Sequence, residues 1–463
     1  MTKIKKGNLK VNASVHDPAI FAKSQGEYYI FGTHMSAAKS SNLKDWESFA
    51  NGVNKENPLF DNLFDEDKKA FAFTGKFADR HYAVWAPDVT YNPVLKKYMM
   101  YFCTTASYVK SSLCFATADN VEGPYTFQDT ILHSGYNKET VNLTNIKEVL
   151  GDEADLSRYF SQNGNYENLK WPNCIDPNLF YDRDGSLWMV YGSWSGGIFL
   201  LEIDEKTGYP IYPQENKEDN IDPYYGKKIM GGGHRSIEGP YILYDKEADY
   251  YYLFVSYGGL ARDGGYQIRL FRSKDVLGPY TDMKGQILKR VHKHEKYGVK
   301  LIGNYDFPSL SYAYKAPGHN SAFIDYDGRK YVVYHQRFEN GKENHEPRIH
   351  QLFTTKSDWL VAAPFNTNGE RLSKEGYSNE DIGGTYHIVN HGQDISSDVH
   401  KSQEKIITES DFVLEKGTCN IKLDYEGVDY EGVVIDMEDE AGNKTRCICA
   451  LANNKCIWAV RYL

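Results

Sequence analysis

This chain has no long hydrophobic run: nothing in its 463 residues approaches the ~20 consecutive apolar residues that a bilayer-spanning helix needs. It also lacks clustered positive charge. Net charge is −10 and no Lys/Arg run exceeds a pair. Nucleic acid and anionic membrane both require grouped cations, so neither is an expected partner, whereas a neutral polymer suits the balance. The first ten residues are basic and polar, without the apolar core of a signal peptide. The expectation is either a cytoplasmic protein or a secreted one whose signal has been removed. The seven cysteines are an odd count, which rules out a complete disulfide framework. Cys447 and Cys449 are too close for a structural zinc pair and have no partner histidines. Cys103 and Cys114 are spaced to face each other across a hairpin, but free buried thiols are the favoured reading. Helical periodicity is scarce throughout.

Aromatic strands are abundant. The chain has 37 Tyr against 22 Phe and 7 Trp, mainly a reflection of strand propensity, with a remainder suited to stacking on sugars. Five times a short polar signal precedes a strand: His16-Asp17-Pro18, Ala86-Pro87-Asp88, Ile175-Asp176-Pro177, Ile237-Glu238-Gly239-Pro240 and Gly318-His319-Asn320. Each leads into an aromatic run, beginning at Tyr28, Tyr98, Leu187, Tyr250 and Tyr331, and then into a third and often a fourth strand. Radial repetition of short antiparallel strands specifies an all-β fold. We expect a five-bladed β-propeller over residues 1–365, a polar linker over 366–381, and a small β-barrel or sandwich over 376–463. Polar insertions at 137–164, with a short helix near 145–156, and at 285–306 are expected to wall a cleft.

The repeat places Asp17, Asp88, Asp176, Glu238 and His319 at equivalent positions around the axis. Acids at strand starts are ordinarily turn caps, but four acids and an imidazole at matched starts suggest a functional centre, because burying carboxylates together is costly. Paired carboxylates are what glycosidic cleavage uses. Asp17, Asp176 and Glu238 are the candidates, with Glu238 as the acid because of its reach and its apolar neighbours Ile237 and Pro240. Asp88 is read as a structural carboxylate.

On Val15-His16-Asp17-Pro18, Trp85-Ala86-Pro87-Asp88, Asn173-Cys174-Ile175-Asp176-Pro177, Gly192-Ser193-Trp194-Ser195-Gly196, Ser236-Ile237-Glu238-Gly239-Pro240 and Pro317-Gly318-His319-Asn320-Ser321, the chain resembles glycoside hydrolase family 43. The resemblance is strongest to the family's endo-acting α-1,5-L-arabinanases and extends to their small C-terminal β domain. It implies an inverting single displacement with Asp17 as general base, Glu238 as general acid and Asp176 as the carboxylate that keeps the acid's pKa high. It also implies substrate contacts at Asn173, Cys174, Ile175, Ser193, Trp194 and Ser195. A calcium ion on the propeller axis is implied at His319, held largely through water; the alternative is a hydrogen-bonded histidine plugging the channel. Trp85 and Trp194 are candidate sugar-stacking faces. Two positions depart from the family pattern: Cys174 where Ala is usual, and Gly239 after the acid. The alternatives are an exo-acting α-L-arabinofuranosidase, a β-xylosidase and a non-catalytic carbohydrate-binding propeller. The small C-terminal module argues against the xylosidase, and the presence of all three acids argues against the binding propeller.

Overall fold

Runs such as Tyr98-Met99-Met100-Tyr101-Phe102-Cys103 are apolar at every position, which suits strands covered on both faces. The structure, a computed structural model, describes residues 3–463. In that strand Met99, Tyr101 and Cys103 enter one core cluster while Met100 and Phe102 enter another. The two-residue period of the strand therefore feeds two inter-sheet cores at once. The same division separates Tyr251, Leu253 and Val255 from Tyr252 and Phe254, and Tyr331 and Val333 from Val332 and Tyr334.

The strands form an all-β, propeller-like arrangement. The first sheet runs Ala19–Ser24, Glu27–Gly32, Ser36–Ser40, Glu47–Ala50, and the second Val84–Asn92, Lys97–Thr105, Ser111–Ala118, Thr126–Ser134. The third is built on Asn178–Tyr181, Leu187–Tyr191, Ile198–Ile203 and Gly226–Met230. The fourth comprises Ile237–Asp245, Tyr250–Tyr257, Gln267–Ser273 and Val299–Ile302; the fifth comprises Tyr314–Ile324, Lys330–Phe338, Glu346–Thr354 and Leu360–Asn366. The first strand of each sheet touches the first strand of the next, and that of the fifth touches that of the first, so the inner strands close a ring.

Side chains near the start of the inner strands stitch neighbouring sheets together. Asp88 accepts from Leu179 N at 2.7 Å, Asn178 accepts from Ile242 N at 2.8 Å, and Ser321 accepts from Ile20 N at 3.0 Å. This gives Asp88 the structural role expected of it.

Two expectations about the insertions change. The helix near 145–156 is the single short segment Ile146–Leu150, ended by Gly151 at φ 96°. Part of the 285–306 insertion is not loop: Val299–Ile302 is the outer strand of the fourth sheet, paired with Gln267–Ser273. Cys103 and Cys114 do not face each other. Cys103 opposes Leu113 and Cys114 opposes Phe102, and all seven cysteines are free and buried.

Beyond Asn366 the strands Gly384–Asn390, Asn420–Tyr425, Val428–Glu438, Lys444–Ala452 and Lys455–Tyr462 lie close to the alternating segments of the sequence. Gln403–Ile407, largely polar, and Phe412–Leu414, only three residues long, carry no such pattern. Lys455–Tyr462 pairs in parallel with Val299–Ile302, so these strands continue the fourth sheet directly. Trp458, fully buried, donates its indole N–H to Ala362 O at 2.7 Å in the fifth sheet. Among the described residues no helix is long and apolar enough to cross a membrane.

The stitches are testable at Asn178, which also donates to Asp88 at 3.1 Å. Asn178→Ala strands the Ile242 N–H in a buried setting and should cost on the order of 1–3 kcal/mol. Thermal melting should report a lower midpoint; an unchanged midpoint would show that the inter-sheet bonds carry no stability.

Candidate active site

The inner strands begin with a shared backbone device. Asp17, Ala86, Asp176, Gly239 and His319 all adopt positive φ, at 54°, 41°, 57°, 55° and 46°. Four of them precede a proline, and His319 precedes Asn320. Positive φ is uncommon for non-glycine residues and is retained where the surroundings over-determine it, commonly at functional sites. This corrects the expected equivalence. The matched ring positions are Asp17, Ala86, Asp176, Gly239 and His319, so Glu238 lies one residue before its ring position and Asp88 two residues after. The register is set by the residue preceding the proline, whereas the sequence comparison had aligned the acids.

The five starts surround one axial cavity of about 20 Å³, lined by Asp17, Asp88, Asp176, His319 and Asn320 among others. Asp17 lies in a cage of imidazoles. His16 Nδ1 stands 2.8 Å and His319 Nδ1 3.1 Å from Asp17 Oδ1, with His335 Nδ1 at 3.7 Å. Thr33 Oγ1 donates to Asp17 Oδ2 at 2.5 Å and in turn accepts from Ala86 N at 3.0 Å. Burial alone would raise the pKa of Asp17; His16 and His319, followed by His335, overcome it and hold the carboxyl well below its usual range. His16 stacks on His335 with centroids 4.1 Å apart, and Arg337 Nη2 reaches His16 Nε2 at 3.2 Å.

Asp176 and Glu238 behave oppositely. Burial, then Glu238 and Asp17, push Asp176 well above the carboxylate range. Glu238 is raised by burial and by Asp17, against hydrogen bonds from Tyr266, Trp194 and Ser193. Those donors reach it at 2.8 Å (Tyr266 OH), 2.7 Å (Trp194 Nε1) and 3.2 Å (Ser193 Oγ), whereas Asp176 receives only Gly239 N at 3.1 Å. Glu238 raises Asp176 and Asp17 raises Glu238, so the buried acids together hold back a proton. The richer donor set favours charge on Glu238 and leaves that proton closer to Asp176 when the cleft is empty. Glu238 is half-buried and Asp176 buried.

The expected binding residues divide. Ser193 and Trp194 orient Glu238, and the Trp194 ring also packs against His234 at 5.3 Å. Trp85 is half-buried beside Phe77 at 5.2 Å. Asn173, Ile175 and Ser195 are buried, and Asn173 gives its amide to Tyr108 O at 2.8 Å. Cys174 is fully buried in the apolar cluster beneath and presents no surface to a ligand, so the contact expected there is corrected to a floor role. The departure at Gly239 has a steric reason: a Cβ there would meet His319 Cγ at 3.1 Å, at a φ that already favours glycine. Sequence reasoning missed Tyr266, Thr33 and His335. Tyr266 is one tyrosine among 37, and only the flanking Gly264-Gly265 marked it. His16 adjoins Asp17 in its motif, yet nothing in the sequence alone assigns it a role.

A profile described as "Glycosyl hydrolases family 43" matches residues 155–360, and one described as "C-terminal lipocalin-like domain" matches 364–459. The extracellular endo-alpha-(1->5)-L-arabinanase 2 of Bacillus subtilis is 41% identical over 403 residues, covering 84% of this chain and 78% of that protein. The extracellular endo-alpha-(1->5)-L-arabinanase of Thermotoga petrophila is 39% identical over 400 residues, with the same shares of 84% and 78%. The crystal structure of endo-1,5-alpha-L-arabinanase from Thermotoga petrophila RKU-1 superimposes with a TM-score of 0.83 at 33% identity, covering 100% of both chains.

Tyr266→Phe removes a donor that favours ionised Glu238, so the Glu238 titration should move to higher pH. Carboxyl ¹³C NMR on labelled protein reads this directly, and a downward or absent shift would contradict the electrostatic account.

Proposed function

Because the chain belongs to glycosyl hydrolase family 43, we propose that it hydrolyses internal α-1,5-L-arabinofuranosidic bonds of arabinan, with inversion, at the hub of a five-bladed propeller. Residues 1–365 form the catalytic unit in this reading, and residues 376–463 a small β module. The observation that carries it is the division of surroundings at the axis: one carboxyl caged by three imidazoles beside two acids, Asp176 and Glu238, whose pKa values are pushed upward. The alternatives of exo action or xyloside cleavage have no such specific support, and the relatives covering most of the chain are named endo-arabinanases.

In the mechanism, Asp17 takes a proton from water on the face opposite the leaving group. Its low pKa keeps it available as a base across the neutral range. Glu238 donates to the leaving oxygen. The stronger upward push falls on Asp176, the reverse of what donation from Glu238 needs in the empty site. Only Glu238 is exposed enough to meet a sugar, so a glycosidic oxygen accepting from it draws the shared proton there. Asp176 then remains as the neighbouring negative charge that disfavours early loss of that proton. Trp194 Nε1 and Tyr266 OH hold the Glu238 carboxyl in place throughout.

A calcium ion on the axis belongs to the same proposal, with His319 contacting it largely through water. The donor chemistry fits a hard cation. Asp88 Oδ1 and Asn320 Oδ1, on residues that line the axial cavity, are buried without a hydrogen-bond partner. A cavity of about 20 Å³ admits one water-sized body. When bound, the ion would supply fixed positive charge near Asp17, Asp88 and Asp176.

Glu238→Gln should lower turnover of unactivated linear arabinan by about 10²–10⁴-fold while leaving the circular dichroism spectrum unchanged. The first wild-type product should carry an inverted anomeric centre by proton NMR. Near-normal turnover, or retained configuration, contradicts the assignments of Glu238 and Asp17. Strong chelation followed by calcium titration should lower and then restore the melting temperature, and indifference to both would remove calcium from the axis.

A further inference from the structure

A second cleft, of about 1350 Å³, opens away from the axis between the outer part of the third sheet and the 285–306 insertion. Most of its acids are engaged: Glu215 pairs with Arg158 at 2.6 Å, Asp222 is held by Tyr159 at 3.1 Å, and Asp219 accepts from Asn216 at 2.7 Å, while Glu218 has no side-chain partner among the described residues. Its cations divide, with Arg158 and Lys217 paired and others not. Lys170, Lys228 and Arg290 have no acidic partner within ion-pair distance among the described residues, although the chain carries a net charge of −10.

These three surround one glycine turn. Gly231, Gly232 and Gly233 have φ of 71°, 107° and 69°. A side chain at Gly232 would strike Lys228 Nζ, and one at Gly233 would press on Arg290 Cγ at 3.3 Å. Gly233 N donates to Leu169 O at 3.0 Å, which brings Lys170 alongside. Glycine thus lets an ammonium and a guanidinium close on the turn from different sides. Burial, and after it the nearby Arg290 and Lys170, push the Lys228 ammonium down to about 8. Unpaired cations held together in a cleft are a ready site for an anion.

The surroundings indicate which anion. The cleft is far larger than a free inorganic ion, and Ile229, Leu288 and Val291 give it apolar walls suited to the C–H faces of a sugar, with Val291 81% exposed. The same glycine turn runs straight into His234, which packs on Trp194 beside Glu238. We propose that this cleft binds the carboxylate of an acidic sugar residue, so that a uronic-acid-bearing stretch of polysaccharide is held beside the cleft that cuts neutral chain. The site is separate from the catalytic residues and stands whether or not the cleavage reading holds.

Calorimetric titration of the full chain tests this, with an oligogalacturonate as probe and inorganic phosphate and a neutral arabino-oligosaccharide as comparisons. The oligogalacturonate should bind at low salt and weaken about tenfold or more in Lys228→Gln/Arg290→Gln, and similarly in about 0.5 M salt. Hydrolysis of neutral linear arabinan by the variant should match the parent. Lys170→Gln, at an exposed position, should weaken binding in part and serves if the double variant misfolds. No binding by the parent chain, or binding unchanged in both variants, overturns the proposal. Phosphate binding as tightly as the oligogalacturonate, with the same losses, overturns it in favour of a small-anion site.

Discussion

Closure of the inner strands around a common axis is the constraint on which the rest of this molecule depends. It brings together residues as distant in sequence as Asp17 and His319, whose side chains stand 3.1 Å apart. It also buries the aromatic strands on both faces, because each sheet has a neighbour on either side. Local preference alone would not hold Ala86 or His319 at positive φ. The ring imposes that conformation, and the inter-sheet bonds from Asp88, Asn178 and Ser321 keep it.

Opposite protonation of similar groups follows from what each inner strand carries. The first strand brings His16 beside Asp17, and the fifth sheet adds His319 and His335, so one carboxyl is surrounded by nitrogen donors. Asp176 meets only a backbone N–H and other acids. Two aspartates at matched backbone positions are thereby driven to opposite ends of the carboxylate range by their lateral neighbours.

The architecture was legible because the repeat is punctuated by residues of limited conformational choice. Proline after the positive-φ residue marks four of the five starts, and the aromatic runs that follow have strand composition. The three acids were legible through the motifs around them. Register was not: aligning acids gave Glu238 and Asp88 the wrong equivalence, since the backbone conformation that defines the position leaves a trace only in the proline. Tyr266 and Thr33 were hidden for another reason. Each acts through a single hydroxyl on a residue type common in strands, and only the packing of the sheets aims it. The burial of Cys174 likewise depends on a cluster assembled from two sheets and an insertion.

The pairing of Lys455–Tyr462 with Val299–Ile302 ties the terminal module to the propeller-like sheets. The outer strand of the fourth sheet meets the terminal segment at Lys300 and Lys455, and Trp458 anchors that segment in the fifth sheet as well. Removing the terminal module from this chain would bare that edge and empty an indole-sized hollow against Ala362 in the same event.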